Sequence, residues 1–139
     1  FLIIGGMGVF GNFVGARIAG RFGLDRTIGV ALGLMAAGMA VIGIGFGNVA
    51  VFLIGGCIWG LGSFASNSLQ QSRLVAIAPV LASATVALNT SVVYLGQALG
   101  SAAGERLIGG ATAWMPWAAA GFMAAAIALS LAASRLARG

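Results

Sequence analysis

Few residues in this chain can bind, donate or accept, and most of those are neutral. Asn12, Ser66, Asn67, Asn89, Tyr94 and Gln97 stand inside otherwise apolar runs. Asn89, Val93 and Gln97 step by four, which puts both amides on one face of a helix. Thr90, Tyr94, Gln97 and Ser101 form an overlapping stripe. An unpaired amide in an apolar medium costs roughly 2–7 kcal/mol, so these side chains must face other helices or a wet cavity. A wall of neutral donors and acceptors suits a small polar or amphipathic solute, and the six residues named first are the candidate wall. Hydrogen bonding between helices, worth about 0.6–2 kcal/mol per contact, is the other use open to each of them.

The ionisable groups exclude more than they offer. The chain has no His, and its two acids, Asp25 and Glu105, lie far apart in sequence. That leaves no His-based triad, no His/Cys metal cluster and no obvious carboxylate pair. No catalytic residue, metal or cofactor is expected, and the chain does not read as an enzyme. Lone Cys57 cannot pair within the chain and reads as a small buried hydrophobe. Glycine is abundant, but no Gly-x-x-x-x-Gly-Lys-Ser/Thr run occurs to cradle a phosphate. All seven cationic residues are Arg, and they are dispersed. They make no clustered stripe for nucleic acid.

The elements that must position these groups follow from composition. Hydrophobic residues make up 60% of the chain and charged ones 6%, with a mean hydropathy of +1.09. Soluble domains average about 25% charged residues, so the lipid bilayer is the expected surrounding. Five runs approach the 20 or so apolar residues a helical span needs: 1–19, 28–46, 49–69, 82–104 and 114–134. They are too long for buried strands, and the alternation of a membrane barrel is missing. The expected fold is an all-α, polytopic membrane helix bundle of about five transmembrane helices. Residues 1–139 would form one partial transmembrane domain, a fragment beginning inside a helix.

Charge sets the expected orientation. Arg17, Arg21 and Arg26 flank the first connection, Arg73 lies in the third, and Arg135 and Arg138 form the tail. With five spans these fall on one side. The other side holds the uncharged Gly45–Asn48 turn and Arg106, with Glu105 paired to Arg106 or hydrated. Positive residues mark the cytoplasmic face, which puts the N-terminus outside and the C-terminus inside. Trp114 and Trp117 open the fifth span where an interfacial aromatic belt belongs, and Pro116 fits its first turn.

Small residues recur at four-residue spacing: Gly11, Gly15 and Ala19; Gly29 and Gly33; Gly56 and Gly60; and the longest set, Gly96, Gly100 and Gly104. Such stripes let helix backbones approach, and a packing role is expected above all for the last. The second and fifth spans carry almost no polar residues and can face lipid. The first, third and fourth hold the candidate wall. Mid-span Trp59 can stack on a solute or pack in the core.

One stretch carries a resemblance. Residues 15–26, Gly-Ala-Arg-Ile-Ala-Gly-Arg-Phe-Gly-Leu-Asp-Arg, resemble the cytoplasmic loop signature of the major facilitator superfamily, Gly-x-x-x-Asp-Arg-x-Gly-Arg-Arg. Gly15, Arg21, Gly23 and Arg26 carry the likeness. The signature's Asp falls on Gly20, and a trailing basic position falls on Leu24 or Asp25. Residues 59–67, 70–73 and 78–79 are similar to the tenth helix and following loop of drug and sugar efflux members, and 87–100 to their eleventh helix. The resemblance covers essentially the whole chain and implies the eighth to twelfth helices of a twelve-helix fold, in the C-terminal half. It further implies a secondary active transporter working by alternating access, with cavity lining on the eighth, tenth and eleventh helices. The partners would be a small-molecule solute, the lipid bilayer and the missing N-terminal half. Many Arg with no Lys, and the excess of Ala and Gly, point to a GC-rich bacterial gene and a bacterial inner membrane. The competing expectation is a structural or assembly module that transports nothing.

Overall fold

In a computed structural model, residues 2–108 and 110–136 are described. Arg138 and the side chain of Arg135, counted above with the basic side, lie outside this description. The chain folds as an all-α bundle of five long helices: α1 (Leu2–Phe22), α2 (Leu24–Ile44), α3 (Val49–Ile77), α4 (Ala82–Ile108) and α5 (Met115–Leu136). Short 3-10 turns, Pro79–Leu81 and Thr112–Trp114, lead into α4 and α5. All five helices are long and apolar enough to cross a membrane. Phe10, Phe13, Phe52, Leu88, Phe122 and many other large apolar side chains are exposed on the bundle. A water-facing surface of that kind would be untenable, and a lipid-facing one is expected. The chain reads as a membrane protein.

The connections are tighter than the hydropathy runs indicate. Only Gly23 separates α1 from α2. Its φ of 89° and ψ of 155° fall in a region open essentially to glycine alone. Gly23 closes α1 by donating its N–H to the Ala19 carbonyl. Its own carbonyl then accepts from the Thr27 N–H and, at 2.8 Å, from the Thr27 hydroxyl. Asp25 and Arg26 therefore ride on the first turn of α2, where the expected span started later. At the other end of α2, Gly47 (φ 90°) shapes the turn. Asn48 caps α3, its Oδ1 accepting from the N–H groups of Ala50 (2.9 Å) and Val51 (3.3 Å). α3 runs on to Ile77, so Gln70, Gln71 and Arg73, expected in or near a connection, are helical. Pro116 lies in the first turn of α5.

Glycine decides how the helices meet. α1 and α3 run parallel: Gly8 faces Phe64, Gly11 the Leu61 backbone, Gly15 Ala65, and Gly56 and Gly60 face Ile4. α2 and α3 run antiparallel. A Cβ on Gly38 would stand 2.6 Å from the Gly55 carbonyl oxygen, and one on Gly62 would meet the Ala31 carbonyl. α5 lies antiparallel on the far side of α2, with Trp117 against Gly43 and Ile127 against the core. The core is small: Ile28, Ala31 and Leu32 from α2 with Ala65 and Leu69 from α3.

Two expectations about packing are corrected here. α2 is held between α3 and α5 and contributes much of the core, so it does not simply face lipid. Its lack of polar groups suits burial against other apolar helices equally well. The Gly96–Gly104 stripe, expected to pack against another helix, meets no helix backbone in this bundle. Gly96 and Gly100 face open space, Gly104 meets only the Met115 methyl, and Gly29 and Gly33 are also open. α4 has no buried residue and meets α3 over a short stretch.

Candidate functional site

The six candidate wall residues divide by environment. Ser66 is buried in the α2–α3 seam. Its hydroxyl donates to the Ser63 carbonyl at 2.9 Å and stands 3.6 Å from the Met35 sulfur. This hydroxyl is satisfied by its own helix, so here Ser66 belongs to packing between α2 and α3. Asn67, one residue on, is exposed, and its Oδ1 accepts from Gln71 Nε2 at 3.4 Å on the same helix. Asn12 is half-buried on α1.

The other three share α4. Asn89 is half-buried, yet its Nδ2 is shielded from solvent and has no hydrogen-bond partner. Tyr94 is 65% exposed and Gln97 is exposed. Thr90 and Ser91 bond back to the carbonyls of Val86 and Ala87 at 3.0 Å. Their hydroxyls are spent locally, while the long amides of Asn89 and Gln97 are not. No hydrogen bond joins α4's polar groups to those of α1 or α3 among the described residues.

Gln97 opens onto a trough of about 700 Å³ that continues past Ser101 to Glu105, with Met115 at its end. The floor is clear because Gly100 and Gly104 carry no side chain. Of the two expectations for Glu105, pairing with Arg106 or hydration, its exposure fits the second. No such pair forms among the described residues, because adjacent residues on a helix point in different directions. Glu105 instead shares the Gln97 face, and the sequence did carry that signal: the four-residue step Asn89–Val93–Gln97 continues to Ser101 and Glu105. A smaller groove of about 380 Å³ lies between the Gly45–Asn48 turn and the start of α5, lined by Phe46, Phe52 and Pro116. Its walls are almost wholly apolar.

At the opposite end of the bundle, Arg73 Nε of α3 lies 3.3 Å from Asp25 Oδ1 of α2. The loop-motif residues lie toward the same end of the bundle. Gly15 packs on Ala65 and Gly23 makes the turn, while Arg21 and Arg26 are exposed. Among the described residues no group of three or more His, Cys, Asp or Glu side chains could hold a metal ion. Compared with known proteins, the chain matches no family model and no solved structure.

Proposed function

We propose that this chain is part of a secondary active transporter that moves a small polar or amphipathic solute by alternating access, as in the efflux members of the major facilitator superfamily. One observation carries the reading. Beyond its short contact with α3, which half-buries Asn89, α4 presents Tyr94, Gln97, Ser101 and Glu105 on an exposed length of helix. α1, α2 and α3 are meanwhile locked together by glycine contacts. Amides left on hydrocarbon would cost several kcal/mol each, so α4 must border water or another protein surface. A helix set that packs firmly and shows a polar wall to a neighbour is what a rocking-bundle carrier needs. In this reading the neighbour is the other half of the fold and the solute passes between. The Gly23 end, rich in Arg, faces the cytoplasm of a bacterial inner membrane.

Transport is tested in sealed vesicles from cells expressing the uninterrupted gene product. A pH gradient is imposed, and labelled sugars, nucleosides and cationic dyes are followed. Gradient-driven flux that falls at least tenfold in Gln97→Ala and Asn89→Ala, at normal membrane levels, supports the carrier and this wall. Flux unchanged in both variants removes α4 from the solute path. Absence of flux for every solute in the panel shifts weight to a structural module.

A further inference from the structure

The face of α1 turned away from α3 carries a pattern that the transport reading does not use. Gly8, Gly11 and Gly15 lie on the α3 side. By helical periodicity the opposite side holds Phe10, Phe13, Arg17 and Arg21, spaced i, i+3, i+7 and i+11. Phe10 is 58% and Phe13 66% exposed, and both arginines are exposed. Arg17 and Arg21 stand about 6 Å apart along the axis. Arg26, also exposed, lies at the same end just beyond the Gly23 turn.

No carboxylate pairs with these cations among the described residues: Asp25 engages Arg73, and Glu105 sits on α4 near the opposite end. The result is an apolar helix face ending in two guanidinium groups that no carboxylate among the described residues meets. Their position, within the last two turns of a spanning helix, is where phosphates of a leaflet lie. The stems can run along the helix while the heads reach the interface. A guanidinium offers a planar fork of donors matched to phosphate oxygens. A free anion would satisfy the cations but leave the phenylalanine rings uncovered, whereas a lipid satisfies both.

We propose that this face binds an anionic phospholipid, with Arg17 and Arg21 holding the headgroup phosphate and an acyl chain lying along Phe10 and Phe13. Arg26 adds to the attraction. The proposal rests on the membrane reading and not on transport, and no flux assay enters its test.

The uninterrupted gene product, purified in detergent, is titrated with phosphatidylglycerol and, separately, with phosphatidylcholine of the same acyl chains, and bound lipid is counted by native mass spectrometry. Phosphatidylglycerol is expected to bind more tightly. The double variant Arg17→Gln/Arg21→Gln is expected to lose roughly ten- to thirtyfold of that affinity and to keep its weak phosphatidylcholine binding. Arg17→Lys/Arg21→Lys retains most of the preference, as does Arg106→Gln at the other end. Equal binding of the two lipids by the wild type overturns the proposal. So does undiminished phosphatidylglycerol binding in the Gln variant, or an equal loss in the Lys and Gln variants.

Discussion

Arg73 of α3 and Asp25 of α2 form an ion pair of 3.3 Å across the helix seam, beside the Gly23 turn. Asp25 stands in the first turn of its helix, where the backbone amides also favour a negative charge. Arg73's side chain is only 15% exposed and Asp25's 37%, so solvent screens the pair partly. Exposed pairs are worth about 0.2–1 kcal/mol, and this one belongs near the upper end. Asp25→Asn and Arg73→Gln should each lower the unfolding midpoint in detergent. The double variant should cost less than the sum of the two, and a double-mutant cycle reads the difference. A coupling of zero would make the pair incidental.

The glycine seams predict a graded response to one added methyl. Gly38→Ala and Gly62→Ala would force a Cβ onto backbone carbonyls of the facing helix, and overpacking of this kind costs about 1–3 kcal/mol. Gly96→Ala and Gly100→Ala meet nothing. They should be neutral, or stabilising by up to about 1 kcal/mol, because alanine favours the helix. Thermal unfolding of the four variants in one detergent checks the contrast. Equal losses at Gly38 and Gly96 would contradict this packing.

Gly23 and Asn48 predict different sensitivities at the two ends of α2. Gly23→Ala places a side chain at φ 89°, ψ 155°, a conformation costing about 1–3 kcal/mol for other residues. Asn48→Ala removes the acceptor for two amide groups of α3 and should cost about 1 kcal/mol, while Asn48→Asp keeps the cap. Amide hydrogen exchange in the first turn of α3 should rise in Asn48→Ala and stay near wild type in Asn48→Asp.

Orientation is checked by labelling. In a Cys57→Ala background, Phe46→Cys marks the Gly45–Asn48 turn and Ala76→Cys the end of α3, both exposed positions. A membrane-impermeant maleimide added to intact cells should label the first and leave the second until the cells are opened. The reverse pattern would invert the proposed topology, and with it the leaflet assigned to Arg17 and Arg21.

The architecture was largely legible because apolar length is a one-dimensional property. Five runs near the bilayer thickness had no fold open to them in lipid except helices. Helix ends were less legible. Hydropathy falls wherever polar residues enter, so 70–77 looked like a connection although α3 continues through it. For the same reason α2 was expected to begin at 28, although Leu24 already opens it. The candidate wall was legible only as a set of types. Spacing put Asn89 and Gln97 on one face, but the position of Ser66 in the seam with α2 depends on how α3 is rotated about its axis, and no pattern within a single helix states that.

By itself, then, the sequence determined that the chain is a helical membrane bundle, roughly where its five helices lie, and which of them carry polar groups. The tertiary structure decided which glycines are contacts and which are open: Gly38, Gly55 and Gly62 line one close seam, Gly11 and Gly60 another, and Gly96 and Gly100 touch nothing. It also decided that Asp25 answers Arg73 and that a trough lies open beside Gln97. The physical reason is common to all of these. Helix formation in lipid follows from local backbone hydrogen bonding and composition, whereas partner choice depends on the close approach of two surfaces whose residues are remote in sequence.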